Sequence, residues 1–299
     1  MSKLGSPAYQ VTNALNRIFV PGASRHVDKK RGLAQARIYS FGTIRAYVED
    51  CTRFATWAKK EYGVRDIRDL TPQMARTYID TLAANERSGG YLGRIKAAIG
   101  KLSTVLHGER WNLGTGWHSD QRPERSYSPD DARRVVADLR EHARDPQVAD
   151  VAELQRIGGL RRREAAQLRG QDIDPEQGIF HLVRGTKGGR VRTVSVAPEH
   201  RDYLKALKQR AESHRDSHVF QGRGSLGRRT ERAVDEACRR LGIDDQGTHG
   251  FRGTFAQARY AEYCSEGSTD KAARKSLTQD LGHGRIAVTY AYVRRGGGR

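Results

Sequence analysis

Apolar residues recur at three- and four-residue steps along the first third of the chain, a pattern that predicts α-helices with one buried face. The clearest series lies between residues 44 and 58. A second helix is expected to begin after Thr71, because Thr is a good N-cap and Pro72 suits the first helical position. A third follows the Ser-Gly-Gly at 88–90. Residues 38–108 are therefore predicted to form a small helical domain.

The stretch before this domain, residues 1–37, is predicted to be a basic N-terminal extension. It carries a short amphipathic series whose apolar positions are Val11, Leu15, Ile18 and Phe19. Two interpretations stay open. The series covers a partner protomer, or it packs on its own helical domain.

Residues 109–125 are rich in glycine and polar side chains, which indicates a linker, although Trp111 and Trp117 within it could pack on a domain. A strong helix start follows at Ser128-Pro129, with acidic residues in the first turn. The helical pattern runs to about residue 168. Two strands are then predicted, Ile179–Val183 and Val191–Val196, with helical pattern after them to the end. The fold class is therefore mainly α with a small β-hairpin, and residues 126–299 form the second domain.

Composition narrows the cellular setting. The 299 residues suffice for about two domains, and no apolar run approaches the roughly 18–20 residues of a membrane span. The N-terminus MSKLGSPAYQ lacks the apolar core of a signal peptide. Cys51, Cys238 and Cys264 are far apart, which argues against a disulfide framework or a Cys-type zinc site. We expect a cytoplasmic protein.

Net charge indicates the partner. The chain carries a formal charge of +19 and a sequence pI near 10.2. Such a field attracts polyanions, and neutralising phosphates releases counterions from nucleic acid. A soluble protein from an arginine-rich proteome would share this composition. A membrane-surface protein would concentrate its charge in one amphipathic helix, whereas here arginine and lysine are spread along the sequence. Nucleic acid is the favoured partner.

Four short segments of the second domain hold candidate chemistry. In GGLRRREAAQL, Arg161 follows a glycine break, and its planar donor fork suits phosphate oxygens. Three consecutive arginines are also typical of a solvated face. In TKGGR, Lys187 sits in a hairpin turn from which it could reach a ligand, as any solvent-facing turn lysine could.

The other two segments lie nearer the C-terminus. In THGFRGTFA, Thr248 is expected to cap a helix, with His249 and Arg252 three apart on one face. LGHGRIAVTYAYV contains His283 followed by two tyrosines, Tyr290 and Tyr292. If these tyrosines are helical, they point about 200° apart, so only one can face a given site. A further pair, His214 and His218, is expected to lie on a solvated helix face.

The order of these motifs resembles the tyrosine recombinase (phage integrase) family: Gly-Leu-Arg-x-x-Glu, a turn lysine, His-x-x-Arg, Leu-Gly-His, and a tyrosine nine residues after that histidine. The resemblance covers about 126–292, and more loosely 38–108, which is similar to the family's N-terminal core-binding (SAM-like) DNA-binding domain. It implies a two-domain DNA clamp with an α+β catalytic domain. Within the arginine triplet it selects Arg161, because Glu164 follows three residues later, and of the two tyrosines it selects Tyr292. The implied catalytic set is Arg161, Lys187, His249, Arg252, His283 and Tyr292.

These residue types permit phosphoryl transfer without metal or ATP. Tyr292 would attack a DNA phosphodiester and form a 3′-phosphotyrosyl bond. A tyrosine with the ordinary pKa of about 10 is a poor nucleophile, so His249 would accept or orient its proton. Arg161 and Arg252 would hold the non-bridging oxygens while Lys187 protonates the leaving oxygen. His283 would donate a hydrogen bond to the phosphate.

The resemblance also implies a double-stranded DNA partner with a specific site, a monomer in free solution, a homo-tetramer on two paired sites and possible DNA-bending accessory factors. It places the enzyme in the cytoplasm, associated with the nucleoid, encoded by a bacterium, phage or plasmid. A type IB topoisomerase or telomere-resolving enzyme would share the chemistry. A non-catalytic DNA-binding regulator would not need Tyr292 or Lys187, and no carboxylate cluster supports a metal-dependent nuclease. The Gly-rich tail at 294–299 disfavours the docking helix that many family members carry, so either the chain is truncated or other elements connect protomers.

Overall fold

The computed structural model describes residues 5–114, 125–186 and 189–293. The chain divides into two compact units, Met1–Arg122 and Pro123–Arg299, and each has its own apolar core. Lys187 and the tail at 294–299 lie outside the described residues. Within the described ranges, no helix combines the length and the apolar character needed to cross a bilayer.

The first unit is helical and begins its helices at the predicted caps. The Thr71 hydroxyl accepts a hydrogen bond from the N–H of Met74 at 3.3 Å, as expected for an N-cap. The α-helices are α1 (Pro7–Asn16), α2 (Arg25–Lys30), α3 (Phe41–Tyr62), α4 (Pro72–Ala84) and α5 (Gly89–His107), with 3₁₀ turns at Leu33–Gln35 and Ile67–Asp69.

Helix α1 belongs to the core of this unit. It packs against α3 and α5, and its Val11 and Leu15 are fully buried there. The interpretation that these two positions cover a partner is therefore wrong, because the unit's own helices already remove them from water. Trp111 is also buried in this core, so the start of the predicted linker is part of the unit. Trp117 lies outside the described residues.

The second unit is mostly helical with a small sheet. The Ser128 hydroxyl caps its first helix by accepting from the N–H of Asp131 at 3.0 Å, as predicted. The α-helices are α6 (Pro129–His142), α7 (Gln147–Gly158), α8 (Arg162–Ala166), α9 (Arg201–Glu212), α10 (Arg223–Leu241), α11 (Gly247–Ser265) and α12 (Asp270–Asp280). The 3₁₀ turns are Gly170–Asp172, Pro198–His200 and Ile286–Ala291.

The sheet has the antiparallel order β1-β2-β3, with β1 (Ile173–Asp174), β2 (Ile179–Leu182) and β3 (Arg192–Ser195). Phe180 of β2 pairs with Val194 of β3, and both face the core. The two predicted strands are confirmed with slightly shorter bounds, whereas the two-residue β1 was not predicted. The connection from β2 to β3 contains Lys187.

Candidate active site

The site is built around a glycine turn between α7 and α8. Gly159 ends α7 with a φ of +56°, a conformation that glycine adopts without strain. A Cβ there would lie 2.3 Å from Cδ1 of Phe255, so a side chain has no room. The Gly159 carbonyl accepts hydrogen bonds from Nη1 of Arg252 and, at 3.4 Å, from Nη2 of Arg192. The Gly-Gly-Leu break thus supplies a backbone acceptor that holds two guanidiniums.

Arg161 follows this turn and is oriented by Glu164. Its Nη1 donates to Oε1 of Glu164 at 2.6 Å, and its backbone N–H donates to Oε2 at 2.7 Å. Its Nη2 donates to the Leu281 carbonyl at 3.0 Å. The Arg161 side chain keeps 18% of its surface exposed, so a ligand can reach it. The Arg-x-x-Glu spacing used to select Arg161 corresponds to a direct ion pair.

Glu164 also pairs with an arginine that the sequence analysis did not find. Arg192, on β3, donates from Nη1 and Nη2 to the two carboxylate oxygens of Glu164 at 2.7 and 2.8 Å, and the Glu164 side chain is fully buried. Burial alone would raise the pKa of Glu164, but the hydrogen bonds and charges of Arg192 and Arg161 lower it below its usual value. A sequence signal existed, because strand alternation places Arg192 on the same face as the buried Val194.

Arg252 lies on α11 and is completely buried. Besides Gly159, its guanidinium donates to the Leu281 carbonyl, which also accepts from Arg161. Burial lowers the pKa of Arg252 to about 10, against the effect of the nearby Tyr292. The group remains a cation at neutral pH.

His249 and Tyr292 meet at this cluster. The Tyr292 hydroxyl lies 3.2 Å from Nε2 of His249, and Tyr292 is 8% exposed. Partial burial, together with the charges of Arg252 and Arg161, lowers the pKa of His249 to about 4, although the residue retains solvent exposure. At neutral pH the ring is uncharged and can accept a proton. Helix α11 begins at Gly247, so Thr248 lies in its first turn and the predicted Thr248 cap is wrong.

His283 follows Gly282, which lies just after the Leu281 C-cap of α12 and has a φ of +60°. Its ring centroid is 5.8 Å from that of Tyr292. Tyr290 lies elsewhere, with its ring centroid 4.0 Å from the guanidinium carbon of Arg274. The structure therefore brings together Arg161, His249, Arg252, His283 and Tyr292. The Tyr290 ring contacts Arg274 instead.

Other sequence candidates lie apart from this cluster. Arg162 pairs with Glu231 at 2.5 Å, and Arg163 is exposed. His214 and His218 follow α9 rather than lying on a helix, and His218 is buried with Nε2 accepting from Nε of Arg169 at 3.3 Å. The prediction of a solvated helix face is therefore wrong for this pair. Within the described part of the chain, no group of three or more His, Cys, Asp and Glu side chains could hold a metal ion.

Comparisons with known proteins identify the family. The model of the phage integrase family matches residues 126–296, and that of the phage integrase N-terminal SAM-like domain matches 30–108. The first match covers more than half of the 299 residues. The chain therefore belongs to the phage integrase family, and it is a tyrosine-type site-specific DNA recombinase. No curated protein sequence matches it significantly.

Solved structures share the fold. A Tn1549 transposon integrase in complex with transposon right-end DNA is 14% identical, with a TM-score of 0.64 over 96% of this chain and 95% of that chain. The XerH recombinase in a post-cleavage complex with its palindromic difH substrate is 15% identical, with a TM-score of 0.62 over 96% and 84%. A lambda integrase dimer bound to a COC′ core site is 14% identical, with a TM-score of 0.60 over 91% and 95%. At these identities the likeness is one of fold.

Proposed function

We propose that Tyr292 is the nucleophile of this recombinase and that its substrate is one strand of a specific duplex DNA site. The observation that carries the proposal is the 3.2 Å approach of its hydroxyl to Nε2 of His249, beside Arg252. The tyrosine oxygen bonds to phosphorus while the bond to the 5′ oxygen breaks, leaving a 3′-phosphotyrosine and a free 5′-hydroxyl. Rejoining is attack by that hydroxyl on the same phosphorus, so it needs no ATP.

His249 accepts the tyrosine proton. Its low pKa keeps the ring neutral, as a proton acceptor must be, but also makes it a weak base. A bound phosphate carries negative charge into a site dominated by guanidiniums. That charge raises the pKa of His249, because an opposite charge nearby favours the protonated form. Substrate binding therefore strengthens the base at the moment it is needed.

Arg161 and Arg252 stabilise the charge that builds on the non-bridging oxygens. The partly exposed Arg161 is positioned for the first contact with the phosphate. Arg252 is fully buried, so the side chains that cover it must shift before the phosphate can reach it. His283, whose ring lies beside that of Tyr292, donates a hydrogen bond to the phosphate.

Lys187 protonates the leaving 5′ oxygen. The support is its place in the chain, in the connection between two strands of which the second carries Arg192 into the site. A substrate with sulfur in place of the bridging 5′ oxygen has a leaving group that needs no proton. We therefore expect Lys187→Ala to be slow on the ordinary substrate and restored on the sulfur substrate.

The assembly we propose is a monomer in free solution and a tetramer on two paired DNA sites, with accessory DNA-bending factors. Support comes from the +19 charge, which opposes self-association until DNA neutralises it, and from the lambda integrase structure, which is a dimer on a core site. We place the protein in the cytoplasm at the nucleoid, encoded by a bacterium, phage or plasmid.

A trapping experiment tests the chemistry. A duplex DNA site is first selected by tight binding to the protein. The protein is then incubated in EDTA with a nicked duplex that carries this site. After cleavage this duplex loses a short strand with a 5′-hydroxyl end, so the break cannot be rejoined. We expect a covalent adduct that carries a label placed on the 5′ end of the cleaved strand and not one placed on its 3′ end. An adduct through the 5′ phosphate, or one that forms only with added metal, would contradict the proposal.

A further inference from the structure

Helix α12 contains a buried arginine, Arg274, that the proposed chemistry does not use. The residue is 1% exposed. Burying a guanidinium is costly unless it is paired and hydrogen-bonded. Part of the compensation is local, because Nε of Arg274 donates to Oδ1 of Asp270, one turn earlier on the helix, at 2.7 Å. The remaining contacts of the guanidinium are more informative.

Several of those contacts reach the segment that carries Tyr292, on both sides of it, and the guanidinium also lies 5.0 Å from the ring centroid of Tyr260 on α11. Before Tyr292, the ring of Tyr290 lies over the Arg274 guanidinium, with its centroid 4.0 Å from Cζ. After Tyr292, the carbonyl of Val293 accepts from Nη1 of Arg274 at 2.9 Å. The Thr289 hydroxyl lies 3.5 Å from the same Nη1.

The position of this segment is only weakly fixed by its own backbone hydrogen bonds. Residues Ile286–Ala291 form a 3₁₀ turn, whose hydrogen-bond geometry is poorer than that of an α-helix. Tyr292 comes directly after it. Its N–H donates to the Thr289 carbonyl at 3.0 Å, and its carbonyl accepts from Nε2 of Gln257 on α11 at 3.3 Å. Its hydroxyl must nevertheless meet His249 on another helix, α11. The position of the hydroxyl therefore depends on what holds the turn to the domain.

We propose that Arg274 and Tyr290 form a latch that holds the turn to α12 and so positions the Tyr292 hydroxyl for attack. This inference rests on the proposed role of Tyr292 as the nucleophile. Arg274 and Tyr290 are positioning residues, since the contacts described run to the turn and to α12 rather than to the reacting atoms. The two tyrosines then have different roles. Tyr292 reacts, and Tyr290 supplies the aromatic ring through which Arg274 holds the segment.

The test compares two substitutions at Tyr290 in the full chain, using the nicked suicide duplex at saturating protein. Tyr290→Phe keeps the ring, whereas Tyr290→Leu removes the cation–π contact but keeps an apolar side chain. A desolvated cation–π contact corresponds to a factor of up to about 30 in rate, so we expect Tyr290→Leu to slow adduct formation about tenfold. Tyr290→Phe is expected to stay within about twofold of wild type.

A positioning role predicts a further result that a purely structural role does not predict. The tenfold loss should appear in the rate constant, with the final adduct yield and the DNA dissociation constant unchanged. It should also persist on the sulfur substrate, where Lys187→Ala recovers, because a better leaving group does not reposition the nucleophile. Loss of yield or affinity at unchanged rate, or recovery of Tyr290→Leu on the sulfur substrate, would overturn the latch.

A second pair of variants tests Arg274, the other residue of the latch. Arg274→Met should slow the rate constant at least as much as Tyr290→Leu, and Arg274→Lys, which keeps the charge and one donor, should lose less. Wild-type rates in both Arg274→Met and Tyr290→Leu would refute the latch while leaving Tyr292 as the nucleophile. If wild type itself forms no adduct, or Tyr292→Phe still forms one, the proposed nucleophile is what fails.

Discussion

Three arginines follow one another at 161–163, and the structure gives them different surroundings. Arg161 is held by Glu164 and the Leu281 carbonyl, whereas Arg162 pairs with Glu231 away from the cluster. We expect Arg161→Ala to raise the barrier to strand cleavage by roughly 2.7–4 kcal/mol, the cost of removing one preorganised donor to a developing oxyanion. Arg162→Ala is the matched control and should change the cleavage rate little. Cleavage rates at saturating protein decide between them, and equal losses would remove the basis for singling out Arg161.

His249 gives a pH dependence whose sign is fixed by its lowered pKa. In the unfolded chain it titrates near 6.5, and in the folded chain near 4. Between these values the unfolded state binds the proton and the folded state does not, so this group removes stability as pH falls from about 6.5 to about 4. Above pH 7 it contributes nothing.

We therefore expect the melting temperature of His249→Gln to rise relative to wild type as pH falls through that window. Paired thermal melts at pH 7.5 and 5 measure the difference. A gap between the two proteins that stays constant, or that moves in wild type's favour at pH 5, would contradict the assigned shift.

The secondary-structure elements differ in how well they could be predicted from the sequence. The caps at Thr71 and Ser128 are local chemistry, and both predictions are confirmed. The segment that leads to Tyr292 was expected to be helical, but Ile286–Ala291 is a 3₁₀ turn, and Arg274 contacts Tyr290 within it and Val293 after it. No local pattern encodes these tertiary contacts. The burial of α1 likewise depends on helices far along the chain.

The residues of the candidate site differ in the same way, because most of them could be predicted from the sequence and one could not. The resemblance to tyrosine recombinases implied Arg161, His249, Arg252, His283 and Tyr292, which the fold brings together. Sequence reasoning missed Arg192, because a charged residue in a strand usually faces solvent, and the partners that compensate its burial, Glu164 and the Gly159 carbonyl, lie far from it along the chain.

Strand β3 provides a prediction for that missed residue. Arg192→Met leaves the buried Glu164 carboxylate with Arg161 as its remaining cationic partner, so we expect a loss of unfolding free energy of roughly 3 kcal/mol, in the range for breaking a buried pair. Arg162→Met is the control, since Arg162 pairs with Glu231 and the two side chains are 37% and 56% exposed. Urea unfolding measures both. A loss for Arg192→Met no larger than for the control would show that the buried network adds nothing.

Across the chain, the +19 charge and the two separate cores predict that both units contribute to DNA binding. The logarithm of the affinity should fall with the logarithm of salt concentration at a slope of about −0.9 per phosphate neutralised. A fragment of residues 123–299 retains a complete core and should fold, with weaker binding and a shallower slope. Salt titrations of the fragment and the full chain provide the comparison. An unchanged slope in the fragment would assign all phosphate contacts to the second unit.

We propose that the second tyrosine of TYAYV, and not the first, forms the covalent bond to DNA. The most direct measurement is adduct formation on the nicked suicide duplex by Tyr292→Phe and Tyr290→Phe, with DNA binding measured in parallel. We predict that Tyr292→Phe binds DNA normally and forms no adduct, because the attacking oxygen is gone, while Tyr290→Phe forms it as wild type does. An adduct from Tyr292→Phe, or none from Tyr290→Phe, would contradict the assignment of Tyr292 as the nucleophile.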